Sequence, residues 1–270
     1  MKSLIVTADD VGLHPGMTEG ALRAHRQGIV TACSVVANGK AFGHAVERLR
    51  DTPSISAGVH LTLVGETPVA RGGSLIGADG RLFSSYAKFV PRYLARAIVI
   101  ADVEREFRAQ IEALLAAGVH LTHANGHQHL HLLPRIFDVV QRLAIEYAIG
   151  YVRIVDDRGG CSTLSRRMSV DALSMLGRRA RRRSTARTND RTIGVAEAGH
   201  LDAAAVIRLL DSVEGVTELV VHPGVDGAAL GAAYRWSYAW DAETAALCDP
   251  RVRAAVGQSG IRLAAPACES

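Results

Sequence analysis

The sequence predicts an α/β protein, a TIM-like (β/α) barrel that is either seven-stranded or distorted, and three observations carry that reading. Short apolar, β-branched runs alternate with longer stretches whose apolar residues recur at helical spacing, the pattern of βα units around a parallel sheet. Seven such runs and a weaker eighth fit within 270 residues. That number suits a closed barrel, with an open doubly wound sheet as the alternative. Polar residues also cluster where the predicted strands end, and a parallel barrel gathers its functional side chains on that face.

In chain order, strands are expected at 3–8, 31–37, 55–63, 119–124, 151–155, 217–222 and 260–264, with the weaker one at 191–196. Helices are expected at 17–28, 41–50, 102–117, 134–148, 202–213 and 242–256. Pro134 suits a first helical turn, where its missing N–H costs nothing, and Gly118 suits a C-terminal stop. Two stretches break the alternation: 64–90, rich in Gly, Pro and Ser, and 156–190, rich in Arg. Long segments of that kind in compact domains are lids or mobile loops. With no internal repeat, low-complexity tract or linker, residues 1–270 read as one domain carrying insertions near 64–90 and 156–190.

Composition excludes several classes. A chain with 48% hydrophobic and 21% charged residues is neither disordered nor fibrous. No apolar run approaches the roughly 18 residues of a membrane span. The start, Met1 to Ala8, is too short for a signal peptide and runs straight into Asp9-Asp10, so it reads as the first strand of a cytoplasmic protein. Cys33, Cys161, Cys248 and Cys268 form no Cys-x-x-Cys pair, which indicates free thiols rather than disulfides or a thiolate zinc site. The net charge of +4 is concentrated between Arg166 and Arg187, where eight arginines face one aspartate. The rest of the chain is therefore slightly acidic, unlike a nucleic-acid-binding surface.

The chemistry lies at the strand ends. Asp9 and Asp10 follow the first strand, His60 lies near the end of the third, and a run from Thr122 to His131 holds His123, Asn125, His127, His129 and His131. Arg153 sits in the next strand and His222 closes a later one. Asp and His together suit a divalent metal, zinc with imidazole and carboxylate, magnesium or manganese with more oxygen. Three protein ligands leave a position for water, whose pKa falls to roughly 7 on a metal. Asp9 and Asp10 can divide the work, one as ligand and one as proton acceptor.

The stretches Thr7-Ala8-Asp9-Asp10-Val11-Gly12, Gly58-Val59-His60-Leu61-Thr62-Leu63, His123 through His131 and Val221-His222-Pro223 resemble the YdjC-like carbohydrate deacetylases, a family that includes chitooligosaccharide deacetylases. The resemblance covers nearly the whole chain, because Asn38-Gly39 and the terminal Gly260-Ile261-Arg262-Leu263 also match. It implies a glycoside hydrolase/deacetylase-type barrel with one divalent ion, Zn2+ or Mg2+, held by Asp10, His60 and His127. Asp9 would then be the general base and His222 the general acid, and acid and base steps each contribute about 10²–10⁴-fold. Arg153 either positions substrate, orients Asp9 or forms a structural salt bridge, while Asn125 and His129 are expected at the substrate. His123 and His131 would support the site or touch substrate. Arg187-Thr188-Asn189-Asp190, Gly194 and Gly215-Val216-Thr217-Glu218 are similar to the hopanoid-biosynthesis-associated branch, which implies removal of acetyl from an N-acetylglucosaminyl hopanoid; a soluble chitooligosaccharide is the alternative substrate. Val11 stands where an aromatic is usual, Gly224 where Ala is common, and the tail after Leu263 lacks the Gly-aromatic ending. Those differences bear on pocket shape and leave the five proposed catalytic positions intact.

Met168, Ala172, Met175 and Leu176 share a helical face ahead of the arginine run, which suits an anionic membrane surface at the inner face of the membrane as well as a solvated helix. Nucleic acid is a poorer partner, since none of the six Tyr, five Phe and two Trp interleaves with these arginines. Two other readings compete: a barrel phosphoesterase, which uses two or three ions, and a non-enzymatic adaptor binding anionic lipid or nucleic acid through 166–187. A homodimer is the expected oligomer on frequency grounds.

Overall fold

The computed structural model describes residues 2–157 and 163–266, so Met1, Cys161, Cys268 and residues 158–162 of the arginine-containing segment lie outside the described residues. The sheet is parallel throughout and is built around β1 (Lys2–Val11). One edge of β1 pairs with β7 (Val216–Val221). The other pairs first with β8 (Ile261–Ala264) through Lys2 to Ile5, then with β2 (Ala32–Val35) from Thr7 to Val11. Beyond β2 follow β3 (Ser56–Leu61), β4 (His123–Gly126) and β5 (Tyr151–Val152), and beyond β7 comes β6 (Arg191–Ile193). This curled sheet is a distorted TIM-like barrel.

The seam between β5 and β6 is no continuous ladder: a backbone bond, from the Thr192 N–H to the Asp156 carbonyl at 3.2 Å, is joined by side chains. Asn189 Oδ1 accepts the Ile154 N–H at 2.8 Å, its Nδ2 donates to the Ile154 carbonyl at 2.7 Å, and Thr192 Oγ1 donates to the same carbonyl. An amide side chain satisfies both backbone groups at once, which the short strands leave without a neighbour.

Most helices follow the periodicity, whereas Tyr86–Leu94 and Gly227–Tyr234 lie where none was expected. The first three are α1 (Pro15–Gln27), α2 (Phe42–Arg50) and α3 (Tyr86–Leu94). Next come α4 (Ile100–Ala116), α5 (Pro134–Glu146), α6 (Leu164–Arg181) and α7 (Ala203–Leu210). The last are α8 (Gly227–Tyr234), α9 (Trp240–Cys248) and α10 (Pro250–Gln258). Pro15 opens α1 and Pro134 opens α5, as the fixed φ of proline favours. The main apolar cluster joins strand residues such as Leu4, Val6 and Leu219 to helix residues such as Phe107, Phe137 and Leu143.

Three expectations shift. The strand expected at 119–124 is β4, His123–Gly126, because the chain turns at Gly118 (φ +82°) and first meets β3 when Thr122 N–H reaches the Ala57 carbonyl at 2.9 Å. The single helix expected over 242–256 is two, since Pro250 has no N–H to continue α9 and Asp249 caps α10 by accepting the Arg251 N–H at 2.8 Å. The segment 156–190 carries the 18-residue α6, and α3 begins within 64–90. Cys33 and Cys248 are free thiols.

Candidate metal centre and active-site cavity

The site begins with a break in β1. Its pairing with β2 is regular through Ala8 and slips before Val11, and Asp10 at the slip has a left-handed φ of +64°. A regular strand sends consecutive side chains to opposite faces. The bulge cancels that alternation, so Asp9 and Asp10 both line one cavity. A non-glycine residue held there costs on the order of 1–3 kcal/mol, borne by the surrounding fold.

Asp10 meets two imidazoles. His127 Nδ1 lies 2.8 Å from Asp10 Oδ1 and His60 Nε2 lies 3.3 Å from the same oxygen. All three residues are buried, and one donor atom from each falls within 4.8 Å of the others. His60 arrives from β3, where a Cβ at Gly58 would come within 2.5 Å of the His123 ring; glycine lets β4 pack that closely. Asn125 on β4 donates from Nδ2 to Asp9 Oδ1 (3.1 Å) and to Ser34 Oγ (2.7 Å), which leaves its Oδ1 to accept from His60 Nδ1 at 2.7 Å. That bond puts a proton on Nδ1 and leaves Nε2, facing Asp10, as the nitrogen that would bind a metal. His127 follows β4 on a tight turn in which Gln128 and His129 are left-handed (φ 51° and 55°). Two imidazole nitrogens and one carboxylate oxygen, buried and oriented from behind, fit a single divalent ion.

Asp9 is anchored from the barrel interior. Arg153, fully buried, donates from Nη2 to Asp9 Oδ1 at 2.9 Å and from Nη1 to Oδ2, while its Nε donates to Glu218 Oε1 at 2.8 Å. Glu218 also accepts from Thr7 Oγ1 (2.7 Å) and from Tyr151 Oη (2.8 Å). Burial opposes charge on Asp9, but the guanidinium, with His60 and His222, outweighs it and holds the carboxyl well below its ordinary value. Asp10 is likewise opposed by burial and held low by His127 and His60, and His60 is raised by Asp9 and Asp10 against its own burial. Arg153 thus faces Asp9 and Glu218 rather than the cavity.

The other residues singled out in the sequence divide into two groups. His222, at the end of β7, and His129 line the cavity with the Asp10–His60–His127 group, and burial lowers both imidazoles. The backbone N–H of His222 is fixed by Glu243 Oε1 at 2.6 Å. Asn125, His123 and His131 stand behind: His123 contacts Ser34 Oγ (3.1 Å) and Thr122 Oγ1 (2.9 Å), and His131 Nε2 donates to the Arg153 carbonyl at 3.0 Å. Burial, more than any neighbour, pushes His123 and His131 down to about 3, so both are neutral supports.

The cavity has a volume of about 630 Å³. Sequence reasoning missed its walls. Trp236 stacks on the His127 ring at 5.7 Å between centroids and Tyr238 meets His222 edge-on at 5.3 Å. Leu130, Leu133 and Val90 line one wall, and Val170, Leu173 and Leu176 of α6 line another. The one available signal was aromatic residues at alternate positions, Tyr234, Trp236, Tyr238 and Trp240, beginning ten residues after His222-Pro223-Gly224.

Comparison with known proteins gives the family and the fold. The family described as YdjC-like protein matches residues 3–258. A carbohydrate deacetylase of Oceanobacillus iheyensis is 37% identical over 147 residues, 53% of this chain and 61% of that protein. A carbohydrate deacetylase of Brevibacillus brevis is 37% identical over 147 residues, 54% of this chain and 57% of that one. The matched stretch thus spans about six-tenths of the length of these relatives. Among solved structures, a protein of Enterococcus faecalis V583 described as a cellobiose-phosphate cleavage protein superposes with a TM-score of 0.76 at 23% identity, covering 98% of this chain and 97% of that one. A family 4 carbohydrate esterase of Streptomyces lividans in complex with acetate gives 0.52 at 12% identity over 98% and 94% of the two chains. At those identities the structures share the fold. With the family match spanning nearly its whole length, this chain belongs to the YdjC-like protein family.

Proposed function

We propose that this protein is a metal-dependent hydrolase that removes the N-acetyl group from an N-acetylglucosamine-containing substrate and releases acetate. The observation that carries the reading is the convergence of Asp10, His60 and His127 next to an Asp9 carboxylate that binds Arg153, all on the cavity that His222 lines. Asp10, His60 and His127 would hold one ion, Zn2+ or Mg2+, which when bound polarises the acetamide carbonyl and acidifies water. Asp9, kept ionised by Arg153, takes the proton from the water whose oxygen adds to the carbonyl carbon. As the C–N bond breaks, the proton that Asp9 took from water passes through His222 to the departing sugar nitrogen, giving acetate and a free glucosamine. Trp236 and Tyr238 offer aromatic faces to the sugar.

The sugar is proposed to be carried on a hopanoid lipid of the bacteriohopanetetrol type. The similarity of Arg187-Thr188-Asn189-Asp190 and Gly215-Val216-Thr217-Glu218 to the hopanoid-associated branch supports this, as does the apolar wall of Leu130, Leu133, Leu173 and Leu176. A chitooligosaccharide such as diacetylchitobiose is the second reading, favoured by the carbohydrate deacetylases among the relatives. Acetate release is the test, from N-acetylglucosaminyl bacteriohopanetetrol and from diacetylchitobiose, with and without prior chelation. Chelator-sensitive release from the lipid is expected, and release from the chitobiose alone would move the reading to soluble sugars. No acetate from either overturns the substrate assignment.

A further inference from the structure

We propose that the outward face of α6 docks this protein on an anionic lipid bilayer and sets the cavity mouth against it. The inference rests on the lipid-linked reading of the substrate and adds a partner to it.

The helix has two faces with different chemistry. Its inner face, Val170, Ser174, Gly177 and Ala180, is buried, and a Cβ at Gly177 would lie 1.8 Å from the Val155 carbonyl oxygen, so α6 is clamped onto the segment that follows β5. Its outer face exposes three large apolar side chains, Leu164 at 75%, Met168 at 64% and Met175 at 62%. At about 100° per residue these fall in one stripe, and Arg179 and Arg182 continue the same stripe toward the C-terminus. Arg167 and Arg178 flank one side, and Ala172 on the other side leads to Leu176, both lining the cavity.

The ion pairs leave charge over. Arg178 and Arg181 share buried Asp156 (2.9 and 3.3 Å), Arg183 meets Asp138 (2.6 Å), and Arg167 approaches Asp171, the acidic residue of this face, at 3.9 Å. Among the described residues Arg179 and Arg182 have no ion-pair partner. A stripe that exposes leucine and methionine at one end and unpaired arginine at the other is satisfied by a surface that is both apolar and anionic. A nucleic acid would answer the arginines and leave the apolar residues in water. A second copy of this chain would bring arginine against arginine.

The experiment is flotation of the full-length protein with vesicles of phosphatidylcholine, with and without phosphatidylglycerol. Binding to the anionic vesicles, weakened by salt, is expected. Arg179→Gln/Arg182→Gln should weaken it on the order of 30-fold, and Met168→Ser/Met175→Ser should weaken it at unchanged charge. Both variants should keep the parent's circular dichroism spectrum and melting temperature, which shows that they are folded. Indifference of the parent to phosphatidylglycerol, unchanged binding by both variants, stronger capture by a DNA duplex than by vesicles, or self-association abolished by the same substitutions would each overturn the proposal. Vesicle binding without acetate release from any substrate would uphold the docking face and sink the deacetylase reading instead.

Discussion

Arg153 and Asp9 form a two-pronged ion pair sealed inside the barrel, Nη2 donating to Oδ1 at 2.9 Å and Nη1 to Oδ2, with the arginine shared by Glu218. Asp9 opens on the cavity, whereas Arg153 and Glu218 do not. In the proposed mechanism Asp9 takes the proton and Arg153 holds Asp9 in place.

Asp9→Asn should lower kcat/KM by about 10²–10⁴-fold while leaving metal content unchanged, because Asp9 is not among the three converging ligands. Acetate release together with metal analysis of the purified variant checks both halves. A variant that turns over at the parent rate would remove Asp9 from the mechanism.

Arg153→Met strands two buried carboxylates, Asp9 and Glu218, and should cost about 3–5 kcal/mol of stability. Urea unfolding measures it. Adding Asp9→Asn should recover part of the loss, since one uncompensated charge is then gone, and strict additivity of the two substitutions would speak against the coupling.

Asn125→Ala removes the group that fixes the His60 tautomer and should weaken metal binding by about 10–100-fold, whereas His60→Ala and His127→Ala should abolish stoichiometric binding. Calorimetric titration with zinc distinguishes them. Parent-like affinity in His127→Ala would dismantle the ligand set.

Glu243 is raised to about 7 by burial, against the backbone N–H groups that lower it, from an ordinary value of 4.5. Between those values the native state binds the proton that the unfolded state has lost, so stability falls as pH rises through this window and the deficit is complete above about 7. Glu243→Gln keeps an acceptor for the His222 N–H and cannot ionise. Relative to the parent it should gain on the order of 3 kcal/mol between pH 4.5 and 7, and parallel stability curves for the two proteins would contradict it.

Trp236→Ala removes the ring stacked on His127 and should raise KM by up to about tenfold with a smaller change in kcat. Steady-state kinetics on diacetylchitobiose reads the split. A fall in kcat alone would make the indole a support for His127 and not a sugar contact.

Much of this was legible in the chain. Hydrophobic periodicity located every strand, although the expected 119–124 moved to His123–Gly126 because β4 carries polar residues into the barrel interior, where pairing with β3 and not apolarity defines it. The strand-end rule nominated Asp9, Asp10, His60, His127 and His222, and all five line the cavity. The aromatic and α6 walls were not legible, because an exposed-looking Trp or Leu becomes a wall only when a distant element packs opposite it.

By itself the sequence determined the alternation of strands and helices and the supply of carboxylates and imidazoles at strand ends, since side-chain type and local periodicity are properties of neighbouring residues. Only the tertiary structure decided their division of labour. Two adjacent aspartates in a regular strand would point apart; the slip against β2 and the left-handed Asp10 bring both to one cavity, one beside His60 and His127, the other against Arg153, 144 residues away. Such pairings depend on long-range register and burial, and burial is what makes a charged hydrogen bond strong enough to fix a role.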